Sequence, residues 1–314
     1  MCALFGIHDY SDYFNKKQKN IILSVLSAEA EVRGTDATGI AYNYKDNLRI
    51  FKRPIPAHRM WYLVPDNTKV VMGHTRMTTQ GSEDKNYNNH PFYGTCGNTK
   101  FTFAHNGIIH NDEYLRKQYQ LPETKIQTDS YIGVQILEKE KTLDFDSLAK
   151  MAETIRGSFT FTILDNTDNL HFIKGDNPLC IYHFVNRGFY IYASTTEIAD
   201  KALRRLGLDK KKHEEIPSRC GDILKIDKTG NISTSRFDTS GIYSQYSGYF
   251  RPYSYSLFEE EEREYDDDYI LVLKNIASSF GYRPEDIDTM LMEGYSLDEI
   301  EDFFYDGEKM LFIR

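Results

Sequence analysis

Cysteine at position 2 places a thiol at the very start of the chain. Removal of Met1, which a small second residue permits, puts that thiol and a free α-amine on one residue. An α-amine has a pKa of about 7.7–8.0, so much of it is neutral at physiological pH. It can take the thiol proton, directly or through water, and the thiolate can then attack a carbonyl carbon. Position alone favours a plainer reading, a buried cysteine in an apolar strand. Four further segments change that balance.

These are Arg33-Gly-Thr-Asp-Ala-Thr-Gly39, Gly73-His-Thr-Arg-Met-Thr-Thr-Gln-Gly81 with Asn89-His-Pro91, His105-Asn-Gly-Ile-Ile-His-Asn111, and Thr128-Asp129-Ser130. Arg76 offers a planar fork suited to a carboxylate, where a surface ion pair is the bland alternative. Asp129 offers a negative charge for an ammonium group; on its own it reads as a helix N-cap, and both roles can hold together. Asn106 and Gly107 offer a side-chain amide N–H and a backbone N–H that can converge on one oxyanion. Their alternative is an Asn-Gly turn after a strand.

With the N-terminal Cys-Ala-Leu-Phe-Gly-Ile, the four segments resemble the class II glutamine amidotransferases. The likeness is greatest to the glutaminase domain of glucosamine-6-phosphate synthase, then to that of the purine-pathway amidophosphoribosyltransferase. It covers roughly residues 2–235, with the motifs in the family's order. The resemblance implies an N-terminal-nucleophile hydrolase, an α+β fold of αββα sandwich type, and L-glutamine as substrate. It implies Cys2 as nucleophile, Asn106 and Gly107 as oxyanion hole, and Arg33 beside the nucleophile's backbone. Arg76 with Thr79 takes the α-carboxylate and Asp129 the α-ammonium. His90 falls among the substrate-binding motifs, although His74 and His90 are of a kind that is more often structural in such loops. Asp36 and Gly39 shape the first loop. No metal or organic cofactor is implied for this half-reaction.

Three residues depart from the pattern. Ala3 stands where the family usually has Gly, Met77 replaces an aromatic residue, and Gln80 replaces a His of the glucosamine synthase. In that synthase the aromatic residue helps control ammonia passage, so that control is open here while glutamine binding is not.

The elements that must hold these groups are readable from periodicity. Alternating or apolar runs predict strands at 2–8, 38–44, 48–53, 69–74, 100–105, 158–164, 170–174, 179–185, 189–193 and 222–226. Helical periods predict helices at 17–32, 129–139, 144–156 and 196–206. Strands in runs with short connections point to mostly antiparallel sheets with helices packed outside.

The 314 residues suffice for one large domain and a small one; 40% are hydrophobic and 27% charged, as expected of a globular protein. The start lacks the features of a secretory signal, and no window reads as a membrane span. Cys2, Cys96, Cys180 and Cys220 lie far apart, which argues against a zinc site or disulfide scaffold and fits a cytoplasmic protein. The net charge of −9 is uneven: from Glu259 onward there are 18 acidic residues against 5 basic, and before it 29 against 33. Such a tail repels phosphates, so no nucleic acid is expected as partner.

The chain thus divides into an amidotransferase domain at 2–238, a Ser/Tyr-rich linker at 239–258 and an acidic helical tail at 259–314. Helical patterns fall at 268–280, 284–293 and 296–305, with Ser296 and Glu299 placed as a capping box and Gly281 and Gly294 as stops. No phosphate loop, dinucleotide fingerprint or sugar-isomerase domain is visible. The expectation is a glutaminase subunit that passes ammonia to a separate synthase or synthetase, with oligomers possible. Two alternatives stay open: an amidase for another γ-glutamyl compound, and a catalytically silent regulatory module.

Overall fold

A computed structural model describes residues 2–45, 47–242, 270, 274, 283–292 and 300. The chain divides into two compact units, Met1–Arg251 and Pro252–Arg314. In the first, thirteen strands form two antiparallel sheets. The seven-stranded sheet has the order β11-β9-β10-β1-β4-β2-β3, and the six-stranded sheet β13-β12-β8-β7-β6-β5. Their ranges are β1 Ala3–Asp9, β2 Ala37–Tyr44, β3 Asn47–Arg53, β4 Val70–Arg76, β5 Phe92–Cys96, β6 Thr99–Ile109 and β7 Gly157–Asp165. There follow β8 Leu170–Lys174, β9 Cys180–Phe184, β10 Phe189–Ala193, β11 Glu214–Glu215, β12 Asp222–Ile226 and β13 Ile232–Arg236. The helices are α1 Lys16–Ala30, α2 Asp112–Gln118, α3 Tyr131–Glu140, α4 Phe145–Thr154 and α5 Thr196–Leu206.

Strand periodicity explains the layering. Successive side chains leave a strand on opposite faces. From β1, Ala3, Phe5 and Ile7 join Leu23 and Leu26 of α1 and Ala199 and Leu203 of α5 in one apolar cluster. Leu4, between them, instead joins Met72 of β4, Ala104 of β6 and Phe172 of β8 in a second cluster between the sheets. From β6, Phe101 and Phe103 turn the other way, to Val134 and Leu137 of α3 and Leu148 and Met151 of α4. Helices outside, two sheets inside and three apolar layers make an αββα sandwich.

Local signals set the element ends. Asn15 caps α1: its side chain accepts from the Gln18 N–H at 3.0 Å, while its own N–H donates to Gln18 Oε1 at 3.0 Å. Strand β6 runs to Ile109, beyond the expected end at 105, because its pairing with β7 continues through Asn106↔Thr160 and Gly107↔Phe159 to Ile109↔Gly157. Asn106 and Gly107 are therefore strand residues, and the turn alternative is set aside. The N-cap of α3 is Ser130, not Asp129. Packing of the first unit reaches past 238, since Ile242 is buried in the cluster with α3 and α4.

In the second unit the described residues include helix α6 Pro284–Met292, matching the helix read at 284–293. It carries an Arg283–Asp286 ion pair at 3.0 Å and a Lys274–Asp288 pair at 2.6 Å. Of the patterns at 268–280 and 296–305 only Ile270, Lys274 and Ile300 are described, each of them helical; the rest of both, the Ser296–Glu299 box, Gly281, Gly294 and most of the linker lie outside the described residues.

Candidate active site

The predicted groups converge where the central strands of the two sheets end. Strand β1 lies beside β4, with Ala3 opposite Thr75, so the next residues outward are Cys2 and Arg76. The half-buried Cys2 thiol donates to the Met77 carbonyl at 3.5 Å. Burial pushes the thiol pKa up; the charge of the chain's terminal amine, the Met77 contact and the Arg76 charge pull it down, and Asp129 pushes it up again. Both charges meant for the two ends of an amino acid therefore act on this sulfur.

Arg33 ends a short 3-10 turn, Glu31–Arg33, that follows α1. Its Nε donates to the Cys2 carbonyl at 3.1 Å. The next residue must be small, because a Cβ on Gly34 would stand 2.5 Å from the Arg76 carbonyl carbon. Asp36 closes the same corner: its N–H donates to the Arg76 carbonyl at 3.0 Å and its Oδ2 accepts from the Thr78 N–H at 2.6 Å.

Arg76 is buried, and its guanidinium organises the loop that follows it. Nη1 donates to Asn89 Oδ1 at 2.6 Å, and Nη2 to the carbonyls of Gln80 and Gly81 at 2.5 and 3.0 Å. A guanidinium has five N–H donors, so these three bonds leave donors for a carboxylate. Thr79, on that loop, is exposed. The neighbouring Thr78 hydroxyl oxygen is buried with no partner among the described residues.

In the other sheet, Asn106 is fully buried in β6. Its Nδ2 donates to Ser194 Oγ at 3.5 Å, and its Oδ1 has no partner among the described residues. Gly107 has φ +141°, and a Cβ there would stand 2.0 Å from the Ser158 carbonyl oxygen, so only glycine fits. Backbone groups of alternate residues share an edge of an antiparallel strand. The His105 carbonyl takes His74 Nε2 at 2.9 Å, and the Ile109 N–H donates to Asp129 Oδ2 at 2.6 Å. Opposite Gly107, the Phe159 N–H goes to Asp176 Oδ1 at 2.9 Å and not to β7's partner. Gly107 therefore turns its N–H to the edge that faces Asp129.

Asp129 is buried, and its Oδ1 also accepts from the Ser130 N–H at 2.8 Å. Ser130 Oγ lies 2.8 Å from His105 Nδ1, which couples the carboxylate to the strand that carries Asn106. Two histidines of the matched motifs, His74 and His90, are held neutral by burial. Burial drives His74 down to about 3 and His90 well below its ordinary value. Their ring centroids lie 4.1 Å apart at a tilt of 33°, with Phe92 beyond His90 at 4.4 Å and 57°. Neither ring nitrogen of His90 has a partner among the described residues. The structure thus brings Cys2, Arg33, Arg76 and Asp129 to one place, with Asn106 and Gly107 on the strand beside it; it leaves Thr79 on the exposed loop and His90 inside a cluster of tilted rings.

Residues missed by sequence reasoning support the strand. Asn177 Nδ2 donates to the Asn106 carbonyl at 3.0 Å, and Ser194 links β1 to Asn106. Both lie outside the motifs singled out in the sequence. A surface cavity of about 550 Å³, lined by Asn111, Tyr114 and Arg156 among others, includes none of these site groups. Among the described residues no cluster of His, Cys, Asp and Glu is placed to hold a metal ion, and no helix is long and apolar enough to cross a membrane.

Residues 74–200 match the family model described as a glutamine amidotransferase domain. The glutamine–fructose-6-phosphate aminotransferase (isomerizing) of Staphylococcus epidermidis is 32% identical over 205 residues, covering 62% of this chain and 32% of that protein. The chain carries a class II glutamine amidotransferase domain. The same domain is similar to part of the 7-cyano-7-deazaguanine synthase of Sulfolobus acidocaldarius, at 28% identity over 215 residues, covering 64% of this chain and 44% of that one. Among solved structures, the glutamine phosphoribosylpyrophosphate amidotransferase of B. subtilis shares the amidotransferase fold, with TM-score 0.58 and 19% identity over 76% of this chain and 50% of that one. The chain spans about a third of the length of the aminotransferases it matches.

Proposed function

We propose that the domain hydrolyses L-glutamine to glutamate and ammonia through a thioester on Cys2. The observation that carries this reading is the placement of the Cys2 thiol where the opposite charges of Arg76 and Asp129 both act on it. Two fixed charges of opposite sign suit the α-carboxylate and α-ammonium of one free amino acid, which favours glutamine over a γ-glutamyl compound blocked at either group.

Chemistry follows from the sites of the donors. With Met1 removed, the Cys2 amine accepts the thiol proton; a thiol whose pKa is raised by burial needs such a base at neutral pH. The thiolate adds to the side-chain carbonyl carbon. The Asn106 amide and the Gly107 N–H stabilise the tetrahedral oxyanion. The amine returns its proton to the leaving nitrogen, ammonia departs, and water adds to the thioester to release glutamate and restore the thiol. Arg33 holds the Cys2 carbonyl, so the nucleophile's own backbone stays fixed through both steps.

Ammonia then passes to an acceptor site on a separate synthase or synthetase subunit. What supports an acceptor is that the matched relatives are an aminotransferase and a synthase in which the matched region makes up 32% and 44% of the whole length. Segment 259–314, with 18 acidic residues against 5 basic, is the proposed docking element, and 2–238 the catalytic domain. Glutamate release by the Met-free full-length protein tests the reading. Turnover by the wild type and none by Cys2→Ala is the expected result; equal rates for the two would overturn it.

A further inference from the structure

The amide of Asn106 can act on an oxyanion only if its NH2 end faces the reacting carbonyl, and something must choose that end. Ser194, the residue after β10, is fully buried and bridges the two sheets. Its N–H donates to the Leu4 carbonyl at 2.9 Å, and its Oγ accepts from the Leu4 N–H at 2.8 Å. One Oγ lone pair is thereby engaged by the strand that begins at the nucleophile. Its hydroxyl proton still needs an acceptor, since a buried O–H left unpaired is costly.

The Asn106 amide is the group in reach: as placed, its Nδ2 donates to Ser194 Oγ over a long 3.5 Å, while its Oδ1 is buried with no partner among the described residues. A half-turn of the amide exchanges its oxygen and nitrogen at nearly constant shape. It places Oδ1 against the hydroxyl, satisfies both orphans, and turns the NH2 away from Ser194. Asn177 holds the Asn106 carbonyl at 3.0 Å, so the backbone beneath the amide is already fixed.

We infer that Ser194 is a positioning residue for the amidase reaction: its hydroxyl donates to Asn106 Oδ1 and so presents the Asn106 NH2 to the oxyanion formed at Cys2. One serine then ties the nucleophile's strand to the oxyanion donor, because the same oxygen receives Leu4 and orients Asn106. The inference rests on the glutaminase reading above.

The test compares wild type, Ser194→Ala, Ser194→Cys and Asn106→Ala as full-length, Met-free proteins. Glutamine kcat and KM are measured together with inhibition by glutamate and by glutamate γ-semialdehyde, whose aldehyde carbon captures the thiolate as a tetrahedral adduct. Ser194→Ala is expected to lower kcat by about 10- to 100-fold, towards the roughly 100- to 1,000-fold of a lost oxyanion donor in Asn106→Ala. Aldehyde affinity should fall in parallel, while KM and glutamate affinity stay within about 3-fold. A merely structural loss would weaken glutamate and aldehyde alike. Thermal melting reports whether Ser194→Ala folds. Where it does not, Ser194→Cys, a weaker donor at the same place, carries the test with an intermediate loss confined to kcat and aldehyde affinity. If Asn106→Ala is crippled while Ser194→Ala or Ser194→Cys matches wild type, the positioning role is wrong and the glutaminase reading stands. If wild type itself releases no glutamate, the underlying reading has failed instead.

Discussion

The guanidinium of Arg33 donates to the carbonyl oxygen of Cys2 at 3.1 Å, across the gap between a 3-10 turn and the first residue of the proposed mature chain. A chain end has few restraints of its own and tends to fray. Here one charge-assisted bond holds the peptide that carries the nucleophile. Arg33→Met keeps the apolar stem and removes the donor. It is expected to lower kcat about 10- to 100-fold with little change in KM, because a small misplacement of a reacting group is costly in rate. Steady-state glutamate release, with circular dichroism as a check of folding, measures it. An unchanged kcat would show that the bond does not position the nucleophile.

Asn89 grips Arg76 from behind. The Arg76 Nη1 to Asn89 Oδ1 bond is 2.6 Å long and buried, and Asn89 Nδ2 in turn donates to the Glu83 carbonyl at 2.8 Å. Replacing Asn89 by Leu keeps similar volume and frees a guanidinium edge. The expected result is a rise in glutamine KM of about 10-fold or more, with a stability loss of about 1.5–3 kcal/mol for a hydrogen bond to a charged group. Substrate-saturation curves and urea unfolding read the two effects separately. A KM unchanged in a destabilised variant would confine Asn89 to scaffolding.

His8 predicts an acid sensitivity remote from the chemistry. The ring is fully buried against Tyr10 and Tyr190, its two nitrogens have no partner among the described residues, and burial lowers its pKa to about 4. The ordinary value is 6.5, so between 6.5 and 4 the unfolded chain binds a proton that the folded chain refuses. Stability is complete above 6.5, declines as pH falls through this window, and levels below 4. The full loss from this residue is about 3 kcal/mol. His8→Phe keeps the ring packing and removes the proton site. Its unfolding free energy should exceed wild type at pH 4.5 by about 2–3 kcal/mol more than at pH 7.5. Parallel pH dependences in the two proteins would contradict the assignment.

Much of this was legible in the sequence, and for identifiable reasons. Strand β1 is an apolar run buried along its whole length, and helix α1 buries Ile22, Leu23, Leu26 and Ala30 at helical spacing; both appeared as expected. The site residues were found because Cys2, Arg76, Asn106 and Asp129 sit in matched motifs. Elements with weak burial signals were missed. Strand β13, Ile-Ser-Thr-Ser-Arg, is an edge strand with no fully buried residue, and α2 buries only Leu115. The length of β6 was missed because Asn-Gly is a turn signal, overridden here by continued pairing with β7. Ser194 and Asn177 could not be identified from spacing. Their roles arise from contacts between residues far apart in the chain, 190 positions for Leu4 and Ser194.

The most direct test is covalent. Full-length protein is incubated with a diazoketone analogue of glutamine and its intact mass is read, followed by peptide mapping. The account predicts one adduct per chain, on Cys2 of a chain that lacks Met1, with glutamine protecting and Cys2→Ala unlabelled. Labelling at Cys96, Cys180 or Cys220 instead, or no adduct on a chain freed of Met1, would contradict it.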